Sequence, residues 1–228
     1  VADQIKLVKQ LKSSAKSVGI IYSSGETNSQ IQVDEAKKAA EAEGLKVVEK
    51  TVTTTAEVAQ AAESFDTDAI YVPTDNMVVS GIASLVQVAE EKKIPVIGAE
   101  AGTVEGGAAA TIGIDYTELG RQTGEMALRI LRDGEDPATM PVETATEFTY
   151  VVNEAAAERQ GVTIPEDMLA DAERLTEDDA EVVKERGFSL LDIKRYVESL
   201  GMRGRGYRID EARLRTLRVP GLVLMDVR

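Results

Sequence analysis

Residues 22–32, YSSGETNSQIQ, crowd hydroxyls, an amide, a carboxylate and a glycine between an apolar run and a helical pattern. Ser24, Glu26, Asn28 and Ser29 are the candidate binding residues within it. A strand handing over to a helix exposes the helix's first N–H groups and its partial positive charge, a natural seat for a carboxylate. Hydroxyls and an amide beside that seat would add directed hydrogen bonds. The competing reading is a turn followed by plain N-capping by Asn28 or Ser29. A second cluster, Thr74-Asp75-Asn76, carries a carboxylate that could take a ligand ammonium or could cap another helix. Together the clusters describe a bipolar site: N–H groups for a carboxylate, and Asp75 for an amine. That is the chemistry of a free amino acid. On this reading Asp75→Ala should weaken ligand binding far more than it lowers stability. Glu100 opens an acidic, glycine-rich stretch over 100–107, which lines the same rim or is a solvated turn. It is no phosphate loop, because no Gly-Lys-Ser or Gly-Lys-Thr follows. Asp115 either caps the next helix or reaches the cleft.

Other chemistry is excluded by what the 228 residues lack. There is no Cys, so disulfides, thiolate catalysis and Cys-based metal sites are out. There is no His, which removes the usual general base and the commonest metal ligand. No carboxylate pair has a spacing that singles it out for acid/base work or Mg²⁺; Glu41/Glu43 and Asp178/Asp179 read as solvated faces. No cofactor or metal is implied, and the chain reads as a binder, not an enzyme. A net charge of −14 would repel a phosphate backbone, so nucleic acid and anionic membranes are not expected partners.

Positioning these residues requires an alternating pattern. The sequence predicts a helix over 3–12, strands at 17–23, 46–52, 68–74, 94–100, 108–114 and 143–153, and helices over 31–44, 54–64, 78–91 and 116–134. Strands alternating with helices imply βαβ units: an α/β fold with a mostly parallel sheet and helices on both faces. Ligands in such sheets sit beyond the carboxyl ends of the strands. The stretches 23–29, 74–76 and 100–107 are all strand ends.

Five motifs in order, VGIIYSSGETNS, TDAIYVPTDNMVVSG, KKIPVIGAE, GAAATIGIDYTELGRQTGEMALRIL and VVNEAAAERQGVTIP, resemble the carboxy-terminal half of ABC-transporter substrate-binding proteins of the tryptophan/aromatic amino acid type. The resemblance covers about residues 1–169. It implies one lobe of a two-lobed periplasmic binding protein fold. It also implies a periplasmic or extracytoplasmic location, lipid-anchored in the full-length protein, an amino acid ligand such as tryptophan or phenylalanine, and a membrane ABC permease as partner. By the same resemblance Glu26, Asn28 and Ser29 belong to one cleft loop, and Thr74, Asp75 and Asn76 to another. The amino-terminal lobe of the family has no counterpart here. Helix 116–134 would pack against that lobe, and its bare surface suits pairing of two copies as a homodimer.

The composition changes near residue 170. Residues 1–170 hold 14 Lys+Arg against 28 Asp+Glu, whereas residues 171–228 hold 12 of each. The seam divides an expected solute-binding lobe, 1–170, from a small α+β tail, 171–228. The tail predicts helices over 176–186, 189–200 and 210–218 and a strand over 219–227. GFSLLDIKRYVESLGMRGRGYRIDEARLRTLRVPGLVLMDVR resembles the middle of a C39-type cysteine peptidase domain. That family's catalytic cysteine and histidine fall outside the stretch, so the tail is expected to be non-catalytic. The alternative function is therefore a peptidase-related module that binds a peptide. A structural domain with no ligand is the third reading.

Overall fold

The protein's structure is a computed structural model and describes residues 1–175. Contacts divide the chain into two units, Val1–Thr176 and Glu177–Arg228. The helices and strand expected over 176–227 lie outside the described residues.

The first unit runs α1 (Ala2–Leu11), β1 (Ser17–Ser23), α2 (Thr27–Ala42), β2 (Lys46–Val52), α3 (Glu57–Glu63), β3 (Ile70–Val72), α4 (Asn76–Ser80) and α5 (Ile82–Lys92). It continues through β4 (Val96–Gly98), α6 (Ala101–Glu105), β5 (Ala110–Ile114), α7 (Tyr116–Leu131), β6 (Phe148–Asn153), α8 (Glu154–Arg159), α9 (Glu166–Leu169) and β7 (Ala172–Leu175). The strands form one sheet in the order β2-β1-β3-β4-β5-β6-β7. Every pairing is parallel except β5 with β6. The mostly parallel α/β sheet expected from the sequence is therefore present.

Side chains alternate across the strands, as the two-residue repeat requires. Val18, Ile20, Tyr22, Tyr71 and Ile97 join the core beneath α1 and α2. Ile21, Ile70, Val72 and Val96 join the opposite core beneath α3 and α5. Each fully buried Val, Ile or Leu contributes about 1.5–3 kcal/mol, so the central strands anchor both layers. Gly19 lies where β1 meets Phe65: a Cβ there would sit 2.7 Å from the ring, so no larger residue fits without moving it. At the end of α2, Gly44 takes φ +68 and Leu45 N–H returns to the Ala40 carbonyl, a turn that glycine makes without steric cost.

Several expected boundaries are corrected. The helix expected from residue 31 starts at Thr27, so Asn28 and Ser29 lie in its first turn and do not cap it. The helix expected over 78–91 is two, α4 and α5, meeting at Gly81, where a Cβ would press on Val58 and Thr55 at 3.0–3.1 Å. The 100–107 stretch is no plain turn, since α6 occupies Ala101–Glu105. The last expected strand is shorter, Phe148–Asn153. β7 falls beyond the charge seam at 170 yet pairs with β6 in the same sheet.

One element stands apart. α7 has no buried residue. Leu131 is 83% exposed, Tyr116 59% and Val142 in the following connection 95%. Arg129 binds Glu135 at 2.7 Å and Glu143 at 2.8 Å, and Gln122 binds Glu143 at 3.0 Å, so the long connection to β6 is tied back along the helix.

Candidate functional site

β1 pairs with β2 on one side and β3 on the other, so the strand order reverses between β1 and β3. A crevice opens at the carboxyl ends of the strands at such a reversal. The β1–α2 and β3–α4 loops flank it, and both carry residues singled out from the sequence.

The two loops are stitched together. Thr74's carbonyl accepts from Asn28 Nδ2 at 2.8 Å and Ser29 Oγ at 3.2 Å. Its N–H donates to Gln32 Oε1 at 2.9 Å. Glu26 reaches across to α4: its carboxylate accepts from Asn76 N at 3.2 Å, Asn76 Nδ2 at 3.1 Å and Met77 N at 3.2 Å. The carboxylate thus sits at the positive end of a short helix. It leaves α2 without a side-chain cap, although Glu26 occupies the N-cap position. The first N–H groups of α2 consequently remain free of intrahelical partners. Ser24, Thr27 and Asn28 around them are exposed.

Asp75 requires a correction. It is 0% exposed. Oδ1 accepts from Val78 N at 2.9 Å, capping α4, and Oδ2 accepts from Ser23 N at 2.6 Å at the end of β1. A buried carboxylate committed to two backbone donors is a structural clasp, not an open partner for an ammonium ion. For the same reason Asp75→Ala is expected to act chiefly on stability, contrary to the expectation that it weakens ligand binding far more.

Asp115 is likewise a cap: its Oδ1 accepts from Thr117 N at 2.8 Å and Glu118 N at 3.0 Å at the start of α7. Glu100, half-buried after β4, accepts from the Tyr116 hydroxyl at 3.4 Å. Burial, and then the Glu100 charge, push that hydroxyl's pKa above the usual tyrosine range.

A groove of about 330 Å³ runs across the carboxyl ends of the strands, lined by Gln4, Gln32, Thr74, Ala99, Ile114 and Phe148 among others. It begins at the polar stitching around Thr74 and ends on an apolar wall. Ile114 and Phe148 are paired across β5 and β6, so they share one face of the sheet. Gln4 and Gln32 were not singled out from the sequence. Gln4 had a readable signal, a polar residue on the buried stripe of α1 beside Ile5, Leu7, Val8 and Leu11. Gln32 had none, because its partner lies 42 residues away.

Residues 1–176 match the family model described as ABC transporter substrate binding protein. The chain belongs to that family. It is 43% identical over 152 residues to a tyrosine-binding protein of Clostridioides difficile, a stretch covering 66% of this chain and 44% of that protein. Its fold is similar to an ABC domain from Streptococcus pneumonia in a crystal structure with L-Trp: the TM-score is 0.68, with 36% identity over 76% of this chain and 59% of that one. A stretch of 50 residues is 60% identical to a probable functional amyloid protease of Pseudomonas aeruginosa, covering 22% of each chain. The chain therefore spans less than two thirds of each of these relatives. Family and fold bear out the expected substrate-binding protein family and its mostly parallel, periplasmic binding protein-like fold. Among the described residues no helix is long and apolar enough to cross a membrane.

Proposed function

We infer that this chain supplies one wall of an amino acid-binding cleft, with an aromatic amino acid as the ligand. The observation that carries this reading is the open end of α2. Glu26, the residue placed to cap it, is turned to α4, and exposed Ser24, Thr27 and Asn28 surround the free N–H groups. A ligand carboxylate there would complete the helix end. Glu26 and the Asn76 amide oxygen lie on the same rim as acceptors for the ammonium group, the role that Asp75 cannot take. The groove toward Ile114 and Phe148 offers apolar surface for the side chain. The tyrosine-binding relative and the L-Trp complex support this ligand class.

In the relatives, the remaining length would provide the second wall. The uncovered face of α7 is the surface we assign to it. The setting is extracytoplasmic, with delivery of the ligand to an ABC permease in the membrane. The tail is assigned as a peptidase-related segment without catalysis, in keeping with the short match to the amyloid protease.

Isothermal titration with L-tryptophan, tryptamine and indole-3-propionate tests the bipolar site. Binding of the amino acid with loss of affinity for both truncated analogues is expected. Equal affinity for tryptamine would remove the α2 carboxylate seat.

A further inference from the structure

Two buried glutamines bracket the β4–β5 pair at opposite ends, and only one of them lies at the ligand rim. The pair itself is brief: Ile97 is in register with Ala110. Two residues further on, Ala99 and Ile112 would face each other in a continued ladder. Instead the Gln4 side chain enters from α1. Its Nε2 donates to the Ala99 carbonyl at 2.9 Å and to the Ile112 carbonyl at 2.7 Å. Its Oε1 accepts from the Tyr71 hydroxyl at 2.8 Å. One amide therefore joins β3, β4 and β5, and all of its main hydrogen-bonding capacity is used. The two carbonyls fix the orientation: they can only accept, so the NH₂ group faces them and the amide oxygen faces the Tyr71 hydroxyl, which donates.

At the other end Gln160, fully buried, accepts from Val96 N at 2.8 Å and donates to the Gly107 carbonyl at 2.8 Å. That amide clasps the amino ends of the same strands, away from the rim.

We propose that Gln4 is a positioning residue for ligand binding: its amide wedges the carboxyl ends of β4 and β5 apart and so sets the shape of the groove between Thr74 and Phe148. Ala99 and Ile112 themselves line the groove, and Ile114 lies two residues past Ile112, so both groove walls hang from the carbonyls that Gln4 holds. The role in binding rests on the proposed function; the wedge itself does not. Without the NH₂ group the two carbonyls lose their donor, and the strand ends either close on each other or admit water.

The test compares Gln4→Met, Gln4→Glu and Tyr71→Phe with Gln160→Met in this chain. Amide hydrogen exchange is followed at residues 99–101 and 112–115 and in β1, alongside the melting shift produced by millimolar L-tryptophan. Gln4→Met should speed exchange at the rim roughly tenfold or more while β1 keeps its protection, and should abolish the shift. Gln160→Met should lower the melting temperature yet leave rim exchange and the shift in place. Tyr71→Phe should fall between them, and carries the comparison if Gln4→Met does not fold. Unchanged rim exchange in the Gln4 and Tyr71 variants would overturn the proposal. So would Gln160→Met losing rim protection and the shift in step with stability. A wild-type chain with no tryptophan shift would count against the ligand reading, while the exchange contrast would still decide the wedge.

Discussion

Asp75 and Glu26 carry the same functional group three-dimensionally close to one helix, yet they divide its work. Asp75 is buried and shared between β1 and α4. Losing it removes an N-cap worth about 1 kcal/mol and strands the buried Ser23 N–H, a further cost of about 1–3 kcal/mol. Asp75→Ala should therefore destabilise the chain by about 2–4 kcal/mol, read as a lower urea midpoint. A change under about 1 kcal/mol would contradict the clasp. Glu26 is only half-buried and acts from outside α4. Glu26→Ala should cost no more than about 1 kcal/mol but speed amide exchange at Asn76 and Met77, which lose their acceptor. Unaltered exchange there would show that Glu26 adds nothing to the bonds from Asn28, Ser29, Gln32 and Asp75 that join the loops. The sequence singled out both carboxylates by type and by their place at strand ends. It could not rank them, because burial and partners 50 or more residues away separate clasp from rim.

At the scale of elements, the strands were legible and the helix ends were not. Apolar β-branched runs such as SVGIIYS and KVVEKTV match β1 and β2 residue for residue. The α2 start was misplaced because Asn28 and Ser29 are good caps by type, but Thr74's carbonyl draws both side chains across the crevice. The antiparallel β6 could not be foreseen from its own composition; its direction follows from the long connection pinned along α7 by Arg129. Those are partly exposed ion pairs, worth about 0–1 kcal/mol in stability after solvent screening. Arg129→Ala should thus leave the melting temperature nearly unchanged while limited proteolysis within 132–147 accelerates. Asp68 offers a pH test. The Lys16 backbone N–H, the Ser17 hydroxyl and the Lys12 charge hold its carboxyl below the usual range, against the opposing effect of burial. A depressed folded value means that the stabilisation is complete above the unfolded value, about 3.9, and is lost as pH falls through the folded value. Asp68→Asn should flatten the fall of stability below about pH 4. An unchanged acid slope would show that other carboxylates dominate it.

For the whole molecule, the described unit is a doubly covered sheet with one bare helix and one open rim. Its family is that of substrate-binding proteins, and it spans 59% of a relative crystallised with L-Trp. On the proposed function, the exposed apolar surface of α7 and the groove are parts of one wall of a cleft. The direct test of ligand binding is a set of thermal melts of this chain with free amino acids at millimolar concentration. A ligand that binds the native state alone raises the melting temperature, by about 2–4 °C per kcal/mol for a domain of this size. A rise with L-tyrosine or L-tryptophan that alanine and glutamate do not produce is the predicted result. No rise with either aromatic amino acid, or the same rise with every amino acid, would contradict a preformed aromatic amino acid site on this wall.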